Sequence, residues 1–332
     1  MVGLVVSAAL LVWVLHKTNP AKAWEYAQHA NGWLLLLTVV FATLSFAVRT
    51  IRWRLILRDA DGQPFPFSPL WHAVTIGFMA NNLLPARAGE VARGYVASRQ
   101  IPVRFTTALA SIGIERIFDA LVMLGLMAIA IAAPAFPVHA FARGRSLSAI
   151  AASTAVLFGV LLVIALLIAN RPAPWLVRVE RLSRRILPVR AANTVVRVFD
   201  GVVAGLVVLK SPARFAGVVL WSLVLWLENA AAFAICYRAF GIGIPLESAF
   251  VLQGIIGFGV AIPATAGYIG VFEAATVFTL RQYGVDPSLA LAYALTYHFT
   301  TFIPITLLGL WSLSRLHLQL RDLNAAPETE AT

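Results

Sequence analysis

Thirteen consecutive residues hold the chain's densest cluster of anion-binding and acid–base side chains: Asn81-Asn82-Leu83-Leu84-Pro85-Ala86-Arg87-Ala88-Gly89-Glu90-Val91-Ala92-Arg93. A guanidinium offers planar, paired N–H donors that fit phosphate oxygens. Arg87 and Arg93 are therefore either a cradle for a phosphate or interfacial side chains that snorkel to water. Glu90 and Arg93 are three apart and can pair on one helix face. Asn82, with Asn81, either donates to the same headgroup or caps a helix broken at Pro85 and Gly89. The core of the stretch recurs as Pro263-Ala264-Thr265-Ala266-Gly267, where Pro263 and Gly267 are the counterpart break and Glu273 follows six residues later. Ile76-Gly77-Phe78 precedes the first copy and Ile256-Gly257-Phe258 the second. Each copy ends an apolar run of about 15 residues, Leu70–Leu84 and Ala249–Ile262, too short to span a bilayer at the roughly 20 residues required. Broken apolar segments at matching positions in two halves point to a binding site near the bilayer midplane.

Three more charged residues, Glu115, Arg116 and Asp119, fall three and four apart inside an apolar stretch, where each costs about 2.5–3.5 kcal/mol unless it faces protein or water. They form one polar stripe. It serves headgroup binding or proton coupling, or it is an internal salt bridge that pins helices, or both. Glu228 stands alone in another apolar stretch and must be protonated or paired. Glu228 and Glu273 are candidates for a proton-linked step. His298 has no second His or Cys at ligand spacing, so it reads as a packed, hydrogen-bonded histidine and no metal site is expected. No G-x-x-x-x-G-K-[ST] loop and no G-x-S-x-G elbow occur, and neither a cofactor nor ATP drive is expected.

The elements that must carry these groups are membrane helices. The chain is 60% hydrophobic and 12% charged, with mean hydropathy +0.83. Soluble domains carry about 25% charged residues. Long Leu/Ala/Val runs without strand-like alternation exclude a barrel and give an all-α polytopic membrane protein. Six spanning helices are expected: Val2–Leu15, Trp33–Ile51, Thr107–Ala133, Leu147–Ala169, Phe215–Phe240 and Leu289–Leu313. The two broken segments add re-entrant hairpins. The first helix lacks a basic leader and a small-residue cleavage site, so it reads as a membrane helix and not a removed signal. Lys17, Lys22 and Glu25 lie in a polar loop, and Val195–Leu209 is an interfacial helix carrying Asp200. The expected organisation is one transmembrane domain over residues 1–320, with inverted half-repeats at about 1–135 and 147–315, and a disordered tail at 321–332.

Lys and Arg set the orientation. With the N-terminus in the cytoplasm and the first broken segment re-entrant, 19 basic residues fall on the cytoplasmic side against 6 outside. Arg49, Arg52, Arg54 and Arg58 are counted there as flanking charges, and both termini come out cytoplasmic. The net charge of +11 then belongs to anionic-lipid contacts, and no nucleic-acid partner is expected. The single cysteine, Cys236, excludes an intrachain disulfide.

The blocks Asn82–Arg93, Glu115-Arg116-Ile117-Phe118-Asp119 and Pro263–Glu273, in this order, resemble the lysylphosphatidylglycerol synthase transmembrane-region family. This is the flippase-like membrane part of the bacterial multiple peptide resistance factor, also found as a stand-alone protein. Thr265-Ala266-Gly267 replaces part of the Pro-Gly-Gly-x-Gly that family members often show. The resemblance implies a bacterial-type inner-membrane protein that translocates a polar-headed, anionic lipid beside a partner lipid-modifying enzyme. It implies no lysyl transfer, because the soluble aminoacyl transferase domain has no counterpart here. An integral-membrane enzyme acting on a lipid carrier, with Glu115 and Asp119 as acid and base, and a scaffold for such an enzyme are the alternatives.

Overall fold

A computed structural model describes residues 2–59, 61–84, 88–137, scattered positions from 156 to 170, 171–205, 211–261, 265–320 and residue 323. Among the described residues every regular element is helical; the sole bridge pairs Arg58 with Pro64. The helices are α1 (Val2–Lys17), α2 (Pro20–Gln28), α3 (Gly32–Ile56), α4 (Phe67–Leu83), α5 (Ala88–Gln100), α6 (Phe105–Ala132), α7 (Pro172–Ile186), α8 (Val189–Gly205), α9 (Pro212–Ala239), α10 (Glu247–Ala261), α11 (Val271–Gln282) and α12 (Pro287–Arg315).

Three of these helices are long and apolar enough to cross a membrane: α3, α9 and α12, with 25, 28 and 29 residues. At 1.5 Å per residue each exceeds the roughly 30 Å hydrocarbon layer. The 28-residue α6 has the length, but Glu115, Arg116 and Asp119 interrupt its apolar run. The expected span Leu147–Ala169 lies largely outside the described residues.

The expected loop at Lys22 and Glu25 is instead helix α2. Asn19 Oδ1 accepts from the N–H groups of Ala21 and Lys22, and Pro20 opens the first turn. An Asn cap followed by Pro is a strong helix start. Helix α3 runs five residues beyond the expected Ile51, because Arg52 there finds carboxylates inside the protein and has no need of water.

Helix α3 packs along α9. Helix α4 packs on α5 and α12, and α10 packs on α11 and α6. The closest approach is between α4 and α5. A Cβ on Gly77 would sit 2.8 Å from the Gly89 carbonyl oxygen, so two backbones touch where only hydrogens fit. On the other side of the first break, the Asn81 side chain accepts from the Gly89 N–H at 2.9 Å, holding the start of α5 against α4. Gly309 brings α12 equally close to Met79 and Thr75 of α4.

The core has two large clusters and two small ones. One large cluster gathers Trp53, Leu70, Ile76, Met79 and Ile112 around α3–α6. The other large cluster gathers Phe233, Tyr237, Leu252, Tyr293 and Tyr297 around α9–α12. Large apolar side chains face outward on the long helices, Leu36, Val40 and Leu44 on α3 and Phe299, Ile303 and Leu307 on α12. In water such bands would be costly; in hydrocarbon they are the favourable surface.

Candidate functional site

The two interrupted segments meet. Gly267 stands in a left-handed conformation (φ +67°), followed by Tyr268 at φ +59° and Gly270 at φ +88°. This irregular backbone lies against α4: a Cβ at Gly267 would fall 3.4 Å from the Asn82 carbonyl oxygen. Asn82 Nδ2 donates to Thr306 Oγ1 at 2.9 Å and reaches the Phe302 carbonyl at 3.4 Å, tying the end of α4 to α12. Non-helical backbone within a membrane protein is tolerated where protein buries it or it lines a cavity, and both conditions hold here.

The cavity occupies about 300 Å³ and draws its walls from both halves of the chain. Asn82, Gly89, Glu90 and Arg93 line it from the first broken segment, Arg116 from α6, and Tyr268 and Phe272 from the second. Arg49 of α3 and Gln253 of α10 also face it. Pro85, Arg87 and Pro263 lie outside the described residues.

Behind the wall is a buried ion-pair lattice. Glu115 has no exposed surface and accepts from Arg93 Nη1 at 2.5 Å, with Arg52 Nε 3.6 Å away. Asp119 is gripped by the Arg52 fork through both of its oxygens. It also receives Trp226 Nε1 at 3.0 Å and lies 3.3 Å from Arg116 Nη2. Arg52 adds a bond to Ser222 Oγ at 3.0 Å, and the Arg93 guanidinium lies 3.8 Å from the Trp53 ring centroid. One acidic stripe on α6 thereby holds α3, α5 and α9 together. The helical spacing of Glu115 and Asp119 marked the stripe; its chief partner, Arg52, stands in a helix 63 residues earlier. Arg49 and Arg52, expected as flanking loop charges, are instead 8% and 0% exposed. Arg93 takes its carboxylate from Glu115 on α6, across the interface between α5 and α6.

Glu273 sits in a second polar knot. Its Oε2 accepts from the Gly270 N–H at 2.6 Å, and its Oε1 lies 2.6 Å from His298 Nδ1. His298 Nε2 is 2.9 Å from the Gly267 carbonyl oxygen, which can only accept. A bond to that oxygen has to be donated by Nε2–H. His298 is packed and hydrogen-bonded as expected, but its carboxylate partner comes from another helix and no local spacing announces it. Glu228 is not on the cavity wall, although its neighbours Trp226 and Asn229 are; among the described residues neither of its oxygens has a hydrogen-bond partner. Among the described residues no group of three His, Cys, Asp or Glu is arranged to hold a metal ion.

The family model for the lysylphosphatidylglycerol synthase TM region matches residues 1–309. The chain belongs to that family. A curated relative, glycosyltransferase AglD of Haloferax volcanii, is 27% identical over 328 residues, covering 89% of this chain and 51% of the relative. The chain thus spans about half the length of that relative. No solved structure matches. As a member of this family the chain is a membrane protein related to proteins of lipid modification.

Proposed function

We propose that the chain moves a polar-headed lipid between the two leaflets of the cytoplasmic membrane, as a flippase-like transporter. The observation that carries this reading is the Arg-lined cavity at the junction of the two broken segments. A transporter needs a polar chamber inside an otherwise apolar bundle, bounded by backbone that can rearrange. The headgroup would pass along Arg87, Arg93 and Arg116, with Asn82 and Glu90 beside them, while the acyl tails stay in the bilayer. Glu115 and Asp119 would set the Arg side chains at the correct depth. The hydrogen-bonded Glu273–His298 pair and Glu228 are the groups through which a proton gradient would reset the carrier.

The same proposal includes an inverted repeat with two re-entrant hairpins. Its support is the pattern of neighbours. Exchanging α3, α4, α5 and α6 for α9, α10, α11 and α12 turns the pairs α3–α4, α4–α5, α5–α6 and α4–α12 into α9–α10, α10–α11, α11–α12 and α10–α6, all of which pack. The flanking pairs α2–α12 and α8–α6 exchange likewise. In this arrangement α4–α5 and α10–α11 are the opposed hairpins, and the basic excess puts both termini in the cytoplasm.

A second reading draws on the name of the Haloferax volcanii relative: the chain serves lipid-linked glycosyl transfer, as an enzyme or as the membrane partner of one. Both readings are separated by reconstituting the purified protein in liposomes with fluorescent phosphatidylglycerol in both leaflets and bleaching the outer leaflet. Transport predicts bleaching well beyond the outer half at a rate that scales with protein per vesicle. Bleaching that stops at the outer half with folded protein, under both pH gradients, overturns transport and leaves the second reading.

A further inference from the structure

Two side chains on the cavity wall form neither a hydrogen bond nor an ion pair among the described residues, and neither belongs to a motif. Arg49 is 8% exposed, and its Nε and Nη1 are buried without a hydrogen bond. The Phe78 ring lies 4.8 Å from its guanidinium carbon, and Asp119, Glu115 and Glu228 act on it through charge without bonding to it. Gln253 is 2% exposed in the apolar helix α10, and both its amide oxygen and its amide nitrogen are unsatisfied. Buried polar groups are nearly always hydrogen-bonded, and an orphaned buried cation is more costly than an orphaned amide. Two such residues, from different halves of the chain and facing one cavity, mark the place of a missing ligand.

The charges around them define its sign. Arg52, Arg93 and Arg116 are each ion-paired to Glu115 or Asp119, so those two carboxylates are already shared among three guanidinium groups. Arg49 is in no ion pair among the described residues. Among the described residues, the charged side chains on the wall itself are three Arg, at 49, 93 and 116, and one carboxylate, Glu90. The helices packed here carry three further acids: Glu247 at the start of α10, Glu273 held by Gly270 and His298, and Glu228 on α9, which interacts electrostatically with Arg49 and has no hydrogen-bond partner among the described residues.

From this arrangement we infer that the cavity holds the phosphate of a lipid headgroup between Arg49 and Gln253, and that it selects lipids of net negative headgroup charge over aminoacylated, cationic ones. The inference rests on the transport reading for the site's role, but not for its existence. Arg49 supplies the charged fork, and Gln253 donates through its amide nitrogen to a phosphate oxygen while its amide oxygen accepts from a headgroup hydroxyl. A second ammonium, as on a lysyl ester, would meet Arg49, Arg93 and Arg116 in a site of low dielectric, where like charges repel strongly.

The test is equilibrium binding, separate from transport. The full chain in detergent is titrated with short-chain phosphatidylglycerol, short-chain lysyl-phosphatidylglycerol, a polyprenyl monophosphate and inorganic phosphate, with bound mass read by native mass spectrometry. Arg49→Gln, Arg49→Lys and Gln253→Leu are titrated beside it, each first checked for a monodisperse gel-filtration peak. The expected result is one tightly bound phosphate lipid, with lysyl-phosphatidylglycerol at least about tenfold weaker. Arg49→Gln and Gln253→Leu should each weaken phosphate-lipid binding about ten- to a hundredfold, as loss of a charge-assisted or buried hydrogen bond does, and Arg49→Lys should weaken it less. If inorganic phosphate competes fully at equal concentration, the ligand is the free anion and the lipid assignment fails. Equal binding of the lysyl and unmodified lipids, or no effect of either substitution in folded protein, overturns the inference even if transport is observed. Tight Arg49-dependent binding without transport upholds it and refutes the transport reading alone.

Discussion

Replacing Glu115 by Leu should destabilise the protein by about 3–5 kcal/mol, because removing one member of a buried pair leaves an uncompensated buried charge. Glu115 is fully buried, takes Arg93 Nη1 at 2.5 Å and approaches Arg52 Nε at 3.6 Å. Without it Arg52 keeps Asp119, but Arg93 has no other ion pair among the described residues. The built-in comparison is Arg104–Asp200, a 3.0 Å pair whose side chains are 63% and 43% exposed. Breaking that pair with Asp200→Ala should cost below about 1 kcal/mol. The assay is reversible unfolding in mixed micelles, followed by far-UV circular dichroism as the denaturing detergent fraction rises. The Glu115→Leu cost corresponds to a fall of roughly two to four decades in the folding equilibrium constant. The double variant Glu115→Leu/Arg93→Met removes both charges and should be more stable than Glu115→Leu alone by at least about 1.5 kcal/mol. Equal costs for Glu115→Leu and Asp200→Ala, or a double variant as unstable as the single, would refute the reasoning that burial of the charge sets the cost.

Further expectations concern the helix junctions. Gly77→Ala should destabilise by about 1–3 kcal/mol, since its Cβ would meet the Gly89 carbonyl oxygen and Arg93 Cβ at 2.8 Å. Gly257→Ala should be milder, because its Cβ meets the flexible end of Met123; the same micelle titration ranks the two. Asn82→Ala should cost about 1 kcal/mol through loss of the Thr306 hydrogen bond, and a parallel Thr306→Val variant should show the two effects to be non-additive. His298→Ala frees the Gly267 carbonyl and one Glu273 oxygen. Hydrogen exchange at Gly267–Gly270 should then accelerate while α9 is unchanged; unaltered exchange at Gly267–Gly270 would show that the knot does not hold the irregular backbone.

Much of the site could be read locally. The stripe Glu115–Asp119 follows from 3.6-residue periodicity; Gly89, expected at the helix break, lies instead in the first turn of α5, where it lets the backbone approach Gly77. What escaped the sequence was mostly partnership. Arg49 and Arg52 carry the same local signal as an orientation cluster at a helix end, and only tertiary packing distinguishes a guanidinium that reaches water from one that meets Asp119. Gln253 is one polar residue in an apolar run, with nothing beside it to single it out. His298 and Glu273 are 25 residues apart on different helices, beyond the reach of any spacing rule. The signal for α2 was present in Asn19-Pro20 and was outweighed by its low hydrophobicity.

The central claim is that lipid crosses through the cavity between the broken segments. The most direct measurement is the liposome transfer rate of Ala42→Trp, which puts an indole into a space of about 300 Å³ from a residue outside the ion-pair lattice. The account predicts a folded, monodisperse protein with headgroup transfer reduced to the rate of protein-free vesicles. Transfer at the wild-type rate with the cavity filled would contradict it.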